Sequence, residues 1–113
     1  MDSRTKIVAV SEALSLYPDG LWVVCHLDPM LATHARRLEH LAGQGRPLVL
    51  VVTDPPDPLL PTRSRAELAA SLRCVSAVAI GNVPEGVEVA SEEVSDIERR
   101  NELARHVHVR HSG

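Results

Sequence analysis

Three uninterrupted apolar runs dominate the hydrophobic pattern of the chain. They occupy residues 21–26, 47–54 and 74–80, and each is bounded by residues typical of turns. Apolar runs of this length without polar alternation are typical of strands buried on both faces, as in a parallel sheet. The pattern therefore predicts three buried strands.

Between the first two runs the apolar positions recur with helical spacing. They fall on one side of residues 31–42, and charged residues such as Arg36, Arg37 and Glu39 fall on the other side. This spacing predicts an amphipathic helix. Gly43, which follows it, is a residue type that often ends a helix.

Three further elements follow from local signals. Ser64 and Glu67 have the spacing of a capping box, which predicts a helix from residue 64 to about residue 72. Acidic residues in the first turn favour a helix over 91–108. A shorter helix is predicted over 10–17, and a short strand over 87–90.

Strands that alternate with helices predict an α/β fold with a parallel sheet covered on both faces. Right-handed crossovers arrange such strands in a small Rossmann-like three-layer sandwich. We expect residues 1–113 to form one domain, since no linker, repeat or low-complexity segment interrupts them. Ligands of such sheets bind at the carboxyl ends of the strands. Residues 25–34 lie at the carboxyl end of the first predicted strand.

Composition narrows the classes of function. Aromatic residues make up 2% of the chain and Phe is absent, so Leu, Val, Ile and Ala must build the core. A net charge of −3 offers no basic field for nucleic acid. No apolar run approaches the roughly 20 residues of a membrane span. With no visible signal peptide and with Cys25 and Cys74 in or near buried strands, we expect a cytoplasmic protein.

No common catalytic or metal-binding motif is present. The sequence contains neither a Gly-rich P-loop nor a Gly-x-Ser-x-Gly turn. The histidines His106, His108 and His111 invite a metal interpretation, but no Cys or carboxylate completes a recognised spacing. We therefore predict no metal ligands.

Residues 25–54, CHLDPMLATHARRLEHLAGQGRPLVLVVTD, resemble the start of the cytidylyltransferase-like nucleotidyltransferases, a family with a HUP-type fold. The resemblance is to the heptose-1-phosphate adenylyltransferase and glycerol-3-phosphate cytidylyltransferase type. That family has a strand, a Gly-x-Phe-Asp, a His-x-Gly-His opening a helix, and a Val-rich strand ending in Asp. The later segment RSRAELAASLRCVSAVAI is similar to its Arg-Ala-Glu helix and next strand.

The resemblance implies a set of nucleotide-binding positions. Asp28 stands at the family's Asp, and His34 stands at the second His of His-x-Gly-His. Thr33 replaces the Gly of that motif, and Cys25 replaces the Gly before Phe-Asp. Leu31 stands where the first His belongs, so the motif is degenerate.

The family's basic residue in the loop after the second strand also lacks a counterpart. Residues 54–61 contain no Lys, and Lys6 is the only Lys in the chain. Arg65, with His34, is the candidate catalytic residue that the resemblance implies, although Arg is a rigid fork rather than a compact mobile charge. Loss of one donor to the developing charge typically costs about 10²–10³ in rate.

The resemblance therefore implies a nucleotidyltransferase-like protein with a degraded active site. Such a protein binds a nucleotide, CTP or ATP, or a phosphorylated small molecule weakly, or serves as a scaffold. The alternative is an active, divergent cytidylyl- or adenylyltransferase that uses a sugar or polyol phosphate, with Mg²⁺ assisting and pyrophosphate leaving. Relatives in this family often dimerise, so a homodimer is expected.

Each candidate residue also has a structural interpretation. Asp28 fits a helix N-cap, which we favour over a direct ligand role. Cys25 fits a small buried residue. His34 fits equally a phosphate ligand and a half-exposed helix residue.

Overall fold

The computed structural model describes residues 3–83 and 89–92. Its elements, in chain order, are a 3₁₀ helix (Ser3–Lys6), β1 (Ile7–Val8), α1 (Val10–Leu16), β2 (Leu21–Cys25), α2 (Ala32–Ala42), β3 (Leu48–Val52), α3 (Thr62–Ala70), β4 (Val75–Ile80) and β5 (Val89–Ser91). The three predicted buried strands are β2, β3 and β4, and the predicted helix over 31–42 is α2.

Within the described residues, five parallel strands form one sheet in the order β1-β4-β3-β2-β5. The chain moves from β2 to β3 and β4 in one direction, and then crosses to β5 on the other side of β2. The predicted α/β class with a Rossmann-like parallel sheet is confirmed. No helix of the described residues is long and apolar enough to cross a membrane.

The central strand β3 shows how the sheet is covered. All five of its residues are buried, because helices lie against both of its faces. Leu48, Leu50 and Val52 pack with residues of α2 and α3, whereas Val49 and Val51 pack with residues of α1. The alternation follows from the two-residue period of a strand. A continuous apolar run was therefore the correct signal for a strand buried on both sides.

The capping-box prediction is wrong. Helix α3 begins at Thr62 with Pro61 in the N-cap position, two residues before the predicted start. The Pro61 carbonyl already accepts a helical hydrogen bond from the Arg65 N–H at 3.1 Å, so Ser64 is left inside the first turn. Ser64 is exposed inside the helix, and Glu67 pairs with Arg63 at 3.3 Å.

One more local prediction differs from the structure, and one strand was not predicted. Ser91 belongs to β5, so the helix predicted over 91–108 does not begin there. Residues 93–113, which include His106, His108 and His111, lie outside the described residues. Ile7–Val8 forms a strand that the pattern did not indicate. A two-residue strand is too short to show alternation in the sequence. It is defined by its parallel pairing with β4.

We expect Leu50→Ala to lower the free energy of unfolding by about 2–5 kcal/mol, because it leaves a cavity at the centre of the buried strand β3. Urea denaturation at neutral pH measures the loss. The matched control is Leu68→Ala on α3, where the side chain is 46% exposed and the expected change is under about 0.5 kcal/mol. Equal losses in the two variants would contradict this description of the core.

Candidate functional site at the carboxyl ends of the strands

Because the strands are parallel, the loops that follow them meet at one edge of the sheet. Residues 26–31 follow β2, residues 53–61 follow β3, and residues 81–83 follow β4. The second of these loops carries four prolines, which exclude regular structure. Side chains rather than backbone ladders therefore have to hold this edge together.

Arg65, in the first turn of α3, has 0% exposure. Its guanidinium donates to five oxygens that belong to this edge: the carbonyls of Leu60, His26 and Thr53 at 3.1, 2.9 and 2.9 Å, the Thr62 hydroxyl at 3.2 Å, and the Asp54 carboxylate. A guanidinium has five N–H donors, so the structure uses all of them. Arg65 therefore joins the loops after β2 and β3 to the start of α3, and leaves no donor for a phosphate.

Asp28 connects the same two loops from the other side. Its side chain is 3% exposed, and its two carboxylate oxygens accept the N–H groups of Leu59 at 2.7 Å and Leu60 at 2.8 Å. The N-cap prediction for Asp28 is wrong, because the residue in the N-cap position of α2 is Leu31. The carboxylate instead satisfies two consecutive backbone donors of the proline-rich loop.

His34 is buried, at 3% exposure, and not half-exposed. Its Nδ1 accepts the backbone N–H of Leu31 at 2.8 Å. This is the reach-back bond of a capping box, here made by a histidine at the third position of the helix. Because Nδ1 is the acceptor, it carries no proton in this arrangement. This bond uses the Leu31 N–H, which would otherwise be an unpaired donor at the start of α2.

The other two implied nucleotide-binding positions lie apart from each other. Cys25, the last residue of β2, is buried in the core that faces α2 and α3. This fits the small buried residue that the sequence also allowed. Thr33 is exposed in the first turn of α2. The structure brings Asp28 and Arg65 to the same pair of loops. Cys25 contacts the loop after β3 through its backbone carbonyl, which accepts the Thr53 N–H at 3.0 Å.

At the other side of β2, an ion pair spans the crevice between β2 and β5. Arg37 of α2 donates from Nε to Glu92 Oε1 at 3.0 Å, and the Glu92 N–H donates to the Val24 carbonyl at 2.8 Å. The strand order reverses direction between β2 and β5, which makes this crevice the topological switch point where such sheets bind ligands. In this chain the carboxylate of Glu92 lies at that switch point.

A cleft of about 170 Å³ opens at the carboxyl ends of β3 and β4. We call it the β3–β4 cleft; its polar lining comes from Thr53, Asp54, Thr62 and Asn82. Sequence reasoning missed these residues as a site. The available signal was the Thr53-Asp54 pair at the end of the second apolar run, since carboxyl ends of parallel strands are where ligands bind.

Asp54 is the charged group of the β3–β4 cleft. The hydrogen bond from the Thr62 hydroxyl, at 2.5 Å, and that from Arg65 hold the pKa of this carboxyl below its ordinary value. The side chain is still 59% exposed. Asp54 is therefore ionised at neutral pH, and one edge of it faces the cleft.

Among the described residues, no group of three or more His, Cys, Asp or Glu side chains is arranged to hold a metal ion. The carboxylates of this edge serve other partners. Asp28 accepts hydrogen bonds from two backbone N–H groups, and Asp54 accepts hydrogen bonds from the Thr62 hydroxyl and the Arg65 guanidinium. Asp54 Oδ2 lies outside the hydrogen bonds that the structure shows, and a Mg²⁺ ion there would need further oxygen ligands, such as the phosphates of a nucleotide.

Comparison with known proteins adds no support to the family resemblance. No family model matches the chain, and no curated protein matches it. The nucleotidyltransferase resemblance, which covers roughly residues 6–80, is therefore a basis for a proposal.

We expect Arg65→Lys to lower the free energy of unfolding by about 2–4 kcal/mol. An ammonium has three donors instead of five, so at least two acceptors lose their partner, and a buried one left unsatisfied costs about 1–3 kcal/mol. Urea denaturation checks this. The control is Arg63→Lys, two residues away and exposed, with an expected change within about 0.5 kcal/mol. A loss in Arg65→Lys no larger than in the control would refute the structural role.

We expect the stability difference between wild type and Asp54→Asn to shrink in acid. A pKa lowered from 3.8 on folding adds stability above the unfolded-state value, and this is lost as the pH falls through the lower folded-state value. The difference should be constant from about pH 7 to pH 5 and should narrow below about pH 4. Urea denaturation of both proteins at each pH measures it. Other acidic groups cancel in the comparison, so a gap that stays constant down to about pH 3 would contradict the proposed role of the carboxylate.

Proposed function

We propose that the chain is a nucleotidyltransferase-like protein in which the phosphate-transfer site has become part of the structural framework. The observation that supports this most directly is the complete use of the Arg65 guanidinium by oxygens of the protein itself. Phosphoryl transfer is mainly positioning and charge neutralisation, and it needs cationic donors that point at the phosphates. Arg65, the residue that the resemblance implies for that task, points elsewhere.

The second implied catalytic residue is also committed to the fold. His34 is buried and its Nδ1 accepts the Leu31 N–H. Its Nε2, the nitrogen that then carries the proton, is itself buried, so in this conformation a phosphate in solvent reaches neither ring nitrogen. Thr33 adds a β-branched side chain where the family's Gly would allow close approach of the backbone. The start of α2 has thus lost both features that the family motif would provide.

Charge at the switch point supports the same proposal. Glu92 brings a carboxylate to the crevice between β2 and β5 and occupies Arg37. A phosphate entering there meets a like charge, and it has to compete for the one cation that this ion pair contains. Weak binding of CTP, ATP or a phosphorylated small molecule is therefore the most that we propose, with a scaffold role as the main function.

Several secondary expectations belong to this proposal. A homodimer and a cytoplasmic location follow from the family resemblance and from the composition, and we propose neither nucleic acid nor membrane as a partner. Mg²⁺ belongs only to the active alternative, in which the chain transfers a cytidylyl or adenylyl group to a sugar or polyol phosphate.

We expect purified protein to release no pyrophosphate above background from CTP or ATP with Mg²⁺, whether glycerol 3-phosphate or a sugar 1-phosphate is the acceptor. An authentic glycerol-3-phosphate cytidylyltransferase in the same buffer controls for the assay. In parallel, calorimetric titration of each nucleotide should give the same weak or absent heat for wild type and His34→Gln. Gln at this helix position can accept the Leu31 N–H, so the variant keeps the fold while it removes the imidazole.

Pyrophosphate release that depends on Mg²⁺ and disappears in His34→Gln would overturn the proposal in favour of the active enzyme. Micromolar nucleotide binding that is lost in the same variant would overturn the structural role of His34. Circular dichroism of both proteins shows whether the variant is folded, so a loss through unfolding is recognised as such.

A further inference from the structure

The β3–β4 cleft takes no part in the proposed function. It lies on the opposite side of β2 from the switch point, between strands whose carboxyl ends carry Thr53-Asp54 and Gly81-Asn82. Besides its polar residues, its lining includes the apolar Val52 and Ile80. A concave surface with an apolar floor and a few convergent polar groups is the usual form of a small-molecule site.

Hydrogen-bonding capacity in the cleft is acceptor-rich. Both hydrogen bonds that the structure shows to the Asp54 carboxylate, from Thr62 and Arg65, end on Oδ1, and the side chain stays largely exposed. Asn82, also exposed, adds an amide that both donates and accepts. A ligand that donates hydrogen bonds therefore fits this lining, whereas an anionic group would meet the Asp54 charge.

The volume of about 170 Å³ has room for a single small ring or a short chain. A cavity of about 150 Å³ accommodates a benzene molecule, and sites for drug-sized ligands begin at about 300 Å³. A complete nucleotide exceeds this space. A sugar-sized ring with one apolar face fits it.

The place of Asp54 in the chain narrows the chemistry further. It follows the second strand of the β2–α2–β3 unit by two residues. In dinucleotide-binding βαβ units, which also carry a Gly-rich turn that this chain lacks, an acidic residue about 20 residues after that turn accepts a hydrogen bond from a ribose hydroxyl. Asp54 offers the same chemical group at the end of β3. A carboxylate in that position is suited to a pair of neighbouring hydroxyl groups.

We propose that the β3–β4 cleft binds a small neutral polyol of the ribose type, whose vicinal hydroxyls donate to the Asp54 carboxylate. Asn82 contributes a further hydrogen bond, and the carbon face of the ligand lies on Val52 and Ile80. The site does not rest on the proposed function, because it uses neither His34 nor the crevice between β2 and β5.

The test is a titration of ¹⁵N-labelled protein with methyl ribofuranoside, followed through the amide signals in heteronuclear NMR spectra. We expect saturable shifts, in the millimolar range, at Thr53, Gly81 and Asn82. The 2-deoxy counterpart lacks the vicinal pair and should bind about five-fold more weakly, since one hydrogen bond is lost. Ribose 5-phosphate should also bind more weakly, because its phosphate meets Asp54.

Two variants test the residues. Asn82→Ala removes one polar group of the cleft and does not touch the Arg65 bonds, so we expect a folded protein with about five-fold weaker binding. Asp54→Asn should abolish the preference for the vicinal diol over the 2-deoxy compound. Gln44→Ala, an exposed change in the turn between α2 and β3, is the matched control and should bind like wild type.

Absence of saturable shifts at the cleft overturns the proposal, as does equal binding of the 2-deoxy compound by wild type. Unchanged affinity in a folded Asn82→Ala overturns the role of that residue. Tighter binding of ribose 5-phosphate than of the neutral sugar overturns the proposed ligand class. Shifts confined to β5 and α2 assign the ligand to the switch point and overturn the location. None of these outcomes depends on pyrophosphate release.

Discussion

A buried guanidinium sets the arrangement of this edge of the sheet. A charge taken out of water is tolerated only where its hydrogen-bonding capacity is filled, and Arg65 fills it with five oxygens from three segments of the chain. The end of β2, the end of β3 and the first turn of α3 have to converge on it. Asp28 then fixes the proline-rich loop from the other side by accepting two of its N–H groups. Two opposite charges thus organise loops that prolines keep from forming regular structure.

Residue types that bind phosphate in other proteins hold loops and a helix start together here. Histidine, arginine and aspartate occur at positions that resemble a nucleotidyltransferase, yet His34 closes the start of a helix, and Asp28 and Arg65 hold two loops together. The Arg65 donors and the Leu31 N–H are thereby taken by acceptors of the protein itself. Cationic and N–H donors that are already bonded within the protein have little to gain from a phosphate, and this is why we propose a non-catalytic function.

Much of the fold could be predicted from the sequence, because the pattern reports burial directly. A strand such as β3, buried on both faces, consists only of apolar residues, so the sequence shows it as an unbroken apolar run. Helix α2 has its apolar residues on one face, which the helical spacing shows. The site could not be predicted in the same way. The partners of Arg65 are mostly backbone carbonyls, which every residue carries, and one of them, His26, lies 39 positions away. The Ser64–Glu67 spacing failed for a related reason: Pro61 starts the helix earlier, and the pattern cannot rank two competing start signals.

The two bonds from Asp28 to Leu59 and Leu60 also bear on how this protein can change over evolutionary time. Sites on α/β sheets usually diversify through loops that lengthen or shorten while the scaffold stays the same. Here an insertion next to Leu59 or Leu60 shifts the two amides away from the carboxylate and the Leu60 carbonyl away from Arg65. This part of the loop therefore tolerates a change of length less well than an ordinary surface loop. Substitution of outward-facing side chains such as Leu59 remains the accessible route to a new surface.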